Sequence, residues 1–374
     1  MKKIAFFSVD SKKIKWMDDF LNNFDMEKFI PYFFLLVKPN EEVLLEKYLE
    51  DKGISIFKIK YTNKKDLLAA IIQSSYILRR NKIDIVSCHF VKPSLVGLIS
   101  AFFAGIKHRI YIRRHSTFHH LYFKRAVLYD MVCNFFATNI IATSQNVKDV
   151  LMNYERVDES KVTIIYNSID IDEFKNVDED RIKKIREKYG IDNKYFPVIG
   201  VVSRFIEWKG IQYIIPAFKR LLVDYPDACL VLANAIGPYT DAINKMLSDI
   251  PQSSYRKIEF ETDIAPLYKI FDIFVHVPVN KEIEAFGNVY IEALASGVPS
   301  VVTLSGIANE IIRDNENAIV VDYESEKAIY NGIIRLLKDD KLRQRLINNG
   351  FKPVKAFTVK KRVQLLNEFY NKLK

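Results

Sequence analysis

Short β-rich apolar runs alternate with helix-period segments along nearly the whole chain, and this alternation leaves little choice of architecture. Runs at residues 4–9, 32–37, 54–59, 85–89, 110–113, 140–143 and 162–166 read as strands. Between them, stretches such as 41–50 and 67–79 carry apolar residues three and four apart. Strand-then-helix repetition implies a parallel sheet covered on both faces. The pattern pauses over residues 170–189, which are dense in charge (Asp172, Glu173, Asp178, Glu179, Asp180, Arg181, Lys183, Lys184) and end at Gly190. It restarts at residue 197 and continues through 230–233, 258–260, 273–277, 300–304 and 319–321. At 374 residues the chain is too long for one ordinary core. The expectation is an α/β protein with two Rossmann-like domains in series, 1–175 and 190–355, and a helical segment over 356–374. The charged stretch reads as their connection. Ligands in such sheets bind beyond the carboxyl ends of the strands, so a cleft between two facing sheets is the expected site.

Charge narrows the partners. The net charge is +10, yet no acidic residue lies between Asp84 and Asp130. That stretch holds Lys92, Lys107, Arg109, Arg113, Arg114, Lys124 and Arg125, with five of the six histidines. Phe118, Tyr122, Phe123 and Tyr129 interleave with them. Such a block suits phosphate groups or an anionic membrane surface, and equally a solvated basic face with no partner. Net charge alone does not argue for nucleic acid, which is not expected as a partner. Cys88, Cys133 and Cys229 are far apart in apolar surroundings and read as buried thiols, which fits the cytoplasm. The N-terminus has no signal-peptide pattern, and the longest weakly polar stretch, 94–106, is too short to span a bilayer.

Chemistry concentrates in two places. The segment Glu284-Ala285-Phe286-Gly287-Asn288-Val289-Tyr290-Ile291-Glu292-Ala293-Leu294-Ala295-Ser296-Gly297-Val298-Pro299 follows a strand and contains a predicted helix from about Asn288 to Ser296. Gly287 lets a ligand approach the backbone, and the free N–H groups of the helix start favour a diphosphate. Glu292 lies more than a turn into the helix, where a carboxylate can accept hydrogen bonds from vicinal hydroxyls. The second place is Ser203-Arg204-Phe205-Ile206-Glu207-Trp208-Lys209-Gly210, directly after the strand that opens the second half. Two glutamates eight apart, or one Arg–Lys pair, would each suit an ordinary surface loop; together they read as a site.

The first segment resembles the E-x7-E signature of family 4 glycosyltransferases, and the second resembles their Arg-Leu-x-x-x-Lys-Gly element with Phe205 in place of leucine. The resemblance implies a GT-B fold with an acceptor-side first domain and a donor-side second domain. The last helix would pack back on the first domain. It further implies Glu284 near the anomeric centre of the donor sugar and Glu292 on the ribose. The backbone of Phe286, Gly287 and Asn288 would lie against sugar and diphosphate, and Arg204 and Lys209 on the leaving diphosphate. His115, after the fifth strand, is similar in placement to a histidine aimed at the donor sugar; His89 is a second candidate. Asp263 and Ile264 fall where relatives read the base, and Glu310 is a further donor-side candidate. Asp170-Ile171-Asp172 belongs to an architectural passage rather than a metal motif, and no metal or other cofactor is expected.

The implied activity is retaining transfer of a hexosyl or N-acetylhexosaminyl group from a nucleotide-sugar, UDP-linked by expectation, to a glycan or lipid-linked saccharide. Bacterial surface polysaccharide or glycoconjugate synthesis is the expected setting, with peripheral contact at the inner face of the cytoplasmic membrane. One departure stands out. Residues 9–16 carry no glycine where the family often has a Gly-Gly pair, so acceptor contacts do not carry over. Two alternatives stay open: a nucleotide-sugar epimerase on the same fold, and a non-catalytic binding subunit.

Overall fold

The computed structural model describes residues 1–9, 14–39 and 43–373. The chain divides into two compact units, residues 1–167 with 359–374, and residues 168–358. All thirteen expected strands are present. In the first unit they are β1 (Lys2–Val9), β2 (Phe29–Val37), β3 (Ser55–Lys60), β4 (Ile85–His89), β5 (His108–Arg113), β6 (Asn139–Ala142) and β7 (Val162–Ile164). They form one sheet in the order β3-β2-β1-β4-β5-β6-β7, parallel at every pairing. The second unit holds β8 (Val198–Val202), β9 (Cys229–Ala233), β10 (Tyr255–Ile258), β11 (Ile273–His276), β12 (Ser300–Val302) and β13 (Ile319–Val320). Their order is β10-β9-β8-β11-β12-β13, again all parallel. Each sheet therefore reverses its winding once, between β1 and β4 and between β8 and β11. Loops leaving such a switch point diverge and open a crevice at the carboxyl edge.

Burial on both faces explains the continuous apolar strands. β8 and β9 are buried at every position. One face of the first sheet packs Phe6 against Phe20, Phe24 and Phe33 at centroid distances of 5.6, 5.7 and 5.3 Å. Each such ring contributes roughly 1.5–3 kcal/mol by leaving water. The terminal helix Val359–Lys372 closes the same face. Its Val363, Leu366 and Tyr370 share that core with Ile85, Ile110 and Ile112.

The boundary differs from the expected one. Residues 171–189 are not a connector but two helices of the second unit, Ile171–Lys175 and Glu179–Tyr189. Asp170 and Asp178 cap them by accepting from the N–H groups of Glu173 and Asp180, and Gly190 ends the second in a left-handed conformation. Lys188 to Glu261 at 2.7 Å ties that helix to the second unit. Charge density marked capped, solvent-facing helices rather than a linker. The glycine-free first loop has residues 10–13 outside the described residues. Cys88, Cys133 and Cys229 are all buried and unpaired.

Candidate functional site

The switch point of the second sheet gathers most of the motif residues. Arg204 and Lys209 leave β8; Glu284 and the helix Asn288–Ser296 follow β11. Two backbone fits bring them together. Gly210 has φ +76°, and a Cβ there would lie 1.9 Å from the carbonyl oxygen of Val277. The N–H of Val279 donates to the Trp208 carbonyl at 3.0 Å. The Lys209 turn is thereby laid against the segment after β11. Phe205 is fully buried, with its N–H bonded to the Ile236 carbonyl at 3.1 Å. A large apolar side chain anchors this loop, which is why phenylalanine serves where the family has leucine.

Glu284 is the centre of the arrangement. Its carboxylate pairs with the Lys209 ammonium and accepts from His276 Nε2 at 3.2 Å. Its backbone N–H donates to Ser305 Oγ at 3.2 Å. Burial pushes the carboxyl up, but Lys209 and His276 outweigh it and hold the group at about 2. Burial and the nearby ammonium keep His276 below the ordinary imidazole range. A neutral ring that donates from Nε2 leaves Nδ1 as a bare acceptor, and Nδ1 has no partner among the described residues. Gly306 permits the underlying turn, since a Cβ there would meet the Phe286 carbonyl oxygen at 2.7 Å.

The Glu284 carboxyl carbon lies 3.9 Å from where a Gly287 Cβ would stand, so the carboxylate sits beside the start of the helix Asn288–Ser296. Gly287 has φ +84°, and a side chain there would strike the Tyr290 ring at 2.8 Å. Asn288 is exposed at the first helical position. The unsatisfied amides of that turn offer an anion a seat. Glu292 stands about 6 Å further along the helix. Tyr268 orients it, donating to its carboxylate at 2.9 Å. A fixed ammonium, an exposed guanidinium at Arg204 and a helix start, with two carboxyl groups alongside, suit a ligand that is anionic at one end and rich in hydroxyls at the other.

Other expected residues fare differently. The side chain of Phe286 is in the core, edge-on to Phe357 at 5.7 Å. Only its backbone borders the site. Asp263 is committed to Arg181, whose Nε lies 3.0 Å from Oδ2, and Ile264 begins a helix, Ile264–Lys269, rather than sitting in a loop. Glu310 is part-buried in the short helix Ala308–Ile311. Reading the sequence missed His276 and Tyr268. Both lie in apolar runs that look like plain core; the one signal was a lone histidine closing β11.

In the first unit His115 follows β5 and gives Nε2 to Asp130 at 2.9 Å. His119 reaches the other Asp130 oxygen at 2.6 Å, and His120 reaches Glu155 at 3.0 Å. Arg113, fully buried, bridges Asp130 and Glu155 at 3.2 and 2.6 Å. Burial, then the Arg113 charge, pushes His115 down to about 4 against the pull of Asp130. His115, His119 and Asp130 have the spacing of a metal site. Yet both Asp130 oxygens already serve imidazoles and the adjoining guanidinium supplies the countercharge, so the donor set reads as a closed ion network. Asp130 ends the acid-free stretch of sequence, and that position was the signal for it. Arg109 is likewise internal, donating to the carbonyls of Phe136 and Ile106 at 2.7 Å each.

Comparison with known proteins bears on the family and the fold. The sequence model of the family described as "Glycosyl transferases group 1" matches residues 181–352, and that of "Glycosyltransferase Family 4" matches residues 37–173. The chain is 29% identical over 302 residues to the capsular polysaccharide biosynthesis glycosyltransferase CapM of Staphylococcus aureus, covering 79% of this chain and 77% of that one. It is 23% identical over 339 residues to the Escherichia coli UDP-Gal:alpha-D-GlcNAc-diphosphoundecaprenol alpha-1,3-galactosyltransferase, covering 87% and 86%. Among solved structures, Anabaena Alr3699/HepE in complex with UDP and glucose superposes with a TM-score of 0.81 at 21% identity over the whole of both chains.

Proposed function

Because the chain belongs to the group 1 and family 4 glycosyltransferases, with two Rossmann-like sheets of the GT-B type, we propose that it moves a hexosyl or N-acetylhexosaminyl group from a UDP-sugar to a saccharide hydroxyl. The acceptor in this reading is held on a lipid diphosphate, and the anomeric configuration is retained. The observation that carries the donor assignment is the Lys209–Glu284–His276 cluster at a helix start, with Arg204 on the same loop as Lys209. UDP bound to a solved structure of the same fold and a diphosphoundecaprenol acceptor in the name of a relative support the choice of ligands.

In this mechanism the bond between the anomeric carbon and the diphosphate oxygen breaks while the acceptor oxygen bonds that carbon on the same face. The acceptor proton passes to the departing phosphate oxygen. Arg204, Lys209 and the amides of the helix Asn288–Ser296 stabilise the growing negative charge without solvent reorganisation. Glu284 orients the sugar and Glu292 the ribose. By the family resemblance, His115 is a further candidate for contact with the sugar. Cationic side chains stand where other enzymes use a metal, so the proposal needs none.

The test is heat protection by a panel of nucleotides and nucleotide-sugars. UDP is expected to raise the melting temperature by mass action. R204A and E292A should abolish the shift. E284Q should keep it while turnover falls by roughly 100-fold or more. No shift with any nucleotide at millimolar concentration would make a non-catalytic binding subunit the better reading.

A further inference from the structure

The switch point of the first sheet holds positive charge that nothing described balances. Along β4, Ile85, Ser87 and His89 share one face; along β5, Ile110 and Ile112 share it, with Ile112 opposite His89. Arg114 follows two residues on from Ile112. The terminal helix Val359–Lys372 runs over this face against the strand direction. Its end is at the start of β1, where Lys2 donates to the Leu373 carbonyl, and Tyr370 meets Ser87 at 3.0 Å midway along β4. Eight residues back, about 12 Å along the helix, Arg362 reaches the carboxyl edge beside His89 and Arg114.

Arg362 is 6% exposed, and its guanidinium makes no hydrogen bond or ion pair among the described residues; Nε is buried without a partner. Among the described residues Arg114 donates to His89 Nδ1 alone, at 3.2 Å, and lies 5.4 Å from the Phe90 ring centre; its Nε is also buried and unpartnered. The neighbouring Arg113, by contrast, is met by two carboxylates. Burial pushes Arg114 down to about 10, and burial with the Arg114 charge pushes Arg362 down to about 9. The thirteen-residue helix Val91–Phe103 starts at this edge, and its N-cap Phe90 gives it no side-chain cap. Two guanidinium groups side by side in low dielectric repel each other and lack their hydrogen bonds.

We propose that Arg114 and Arg362, with the start of the helix Val91–Phe103, form a binding site for a diphosphate carrying two negative charges, that of the acceptor. A lone carboxylate would offset only one guanidinium; diphosphate oxygens satisfy both forks and the helix amides. The identification with the acceptor rests on the function proposed above, whereas the anion site stands on the arginines alone.

The experiment is thermal shift with inorganic pyrophosphate and with farnesyl diphosphate, at constant ionic strength, on R204A, in which the proposed donor site is disabled. Both probes should raise the melting temperature by roughly 3 °C or more, and adding R362Q or R114Q should remove the shift. R362Q alone should keep the wild-type response to UDP and melt no lower than wild type without ligand, since an uncompensated charge is removed. Pyrophosphate shifts unchanged in R362Q and R114Q overturn the site. So does a clear destabilisation by R362Q, which would mean that an internal carboxylate already holds the guanidinium. Farnesyl diphosphate acting at lower concentration than pyrophosphate supports the lipid-linked acceptor; equal potency overturns the acceptor assignment in favour of a free phosphate. Loss of the UDP response in wild type would count against the donor reading and leave these outcomes distinct.

Discussion

At the scale of residues, buried charges decide what this protein tolerates. His115 is held neutral, pushed down to about 4 by burial and Arg113. A folded pKa below the unfolded value near 6.5 means that the unfolded chain binds more protons between those two values. Stability contributed by His115 is therefore whole above pH 6.5 and is lost as pH falls from 6.5 towards 4, by on the order of 3 kcal/mol. Urea unfolding of wild type and H115Q across that window should show a shallower decline for the variant. Parallel declines would mean that another group carries the dependence. Glu284 behaves in the opposite register. Its carboxyl, held at about 2, stays ionised across the same window, so the Lys209 pair persists throughout it.

At the scale of elements, the proposed donor site is made by loops that only glycine allows to touch. Gly210 is the clearest case, because a methyl there would lie 1.9 Å from a backbone oxygen and the residue has positive φ. The two nearest atoms, the carbonyl oxygen and carbon of Val277, are backbone and cannot swing away. G210A should displace the Lys209 turn from the segment after β11 and break the Lys209–Glu284 pair. Strain and lost packing should lower stability by about 2–4 kcal/mol and weaken UDP binding together. A G210A protein with wild-type melting temperature and UDP response would show that the loop contact is dispensable. Gly-x-Pro at residues 297–299 works differently: Gly297 closes the helix Asn288–Ser296 in a left-handed cap, a local task visible in the residues themselves.

At the scale of the whole molecule, three helices of the first unit carry a cluster of exposed apolar side chains. Leu68, Ile72 and Tyr76 stand out from the helix Leu67–Arg80, Phe102 and Phe103 from the end of Val91–Phe103, and Leu128, Met131 and Phe135 from Val127–Phe136. These three helices pack side by side. Exposed Lys64, Lys65, Arg79, Arg80, Lys124 and Arg125 flank them. No described helix is long and apolar enough to cross a membrane. An apolar face rimmed by cations suits the surface of an anionic bilayer. Flotation with vesicles containing phosphatidylglycerol should recover the protein at low salt, and F135D with M131D should leave it at the bottom of the gradient. Equal recovery with neutral vesicles would assign the attraction to apolar contact alone.

Much of this protein could be read from the chain. Periodicities of two and 3.6 are local, so thirteen strands, the helix from Asn288 to Ser296 and its glycine stop are legible in the residues alone. Spacing likewise put Arg204 and Lys209 after β8, Glu284 after β11 and Glu292 a turn into the helix that follows. Pairing across distance was not legible. Nothing local says that Asp130 will serve His115 and His119, that His276 will lean on Glu284, or that residues 171–189 will fold onto the second sheet. Nor does it say that Arg362, two and a half hundred residues beyond Arg114, will arrive beside it without a carboxylate described nearby. A side chain's partners depend on which strands become neighbours and which face each helix covers, and those follow from the packing of the whole sheet.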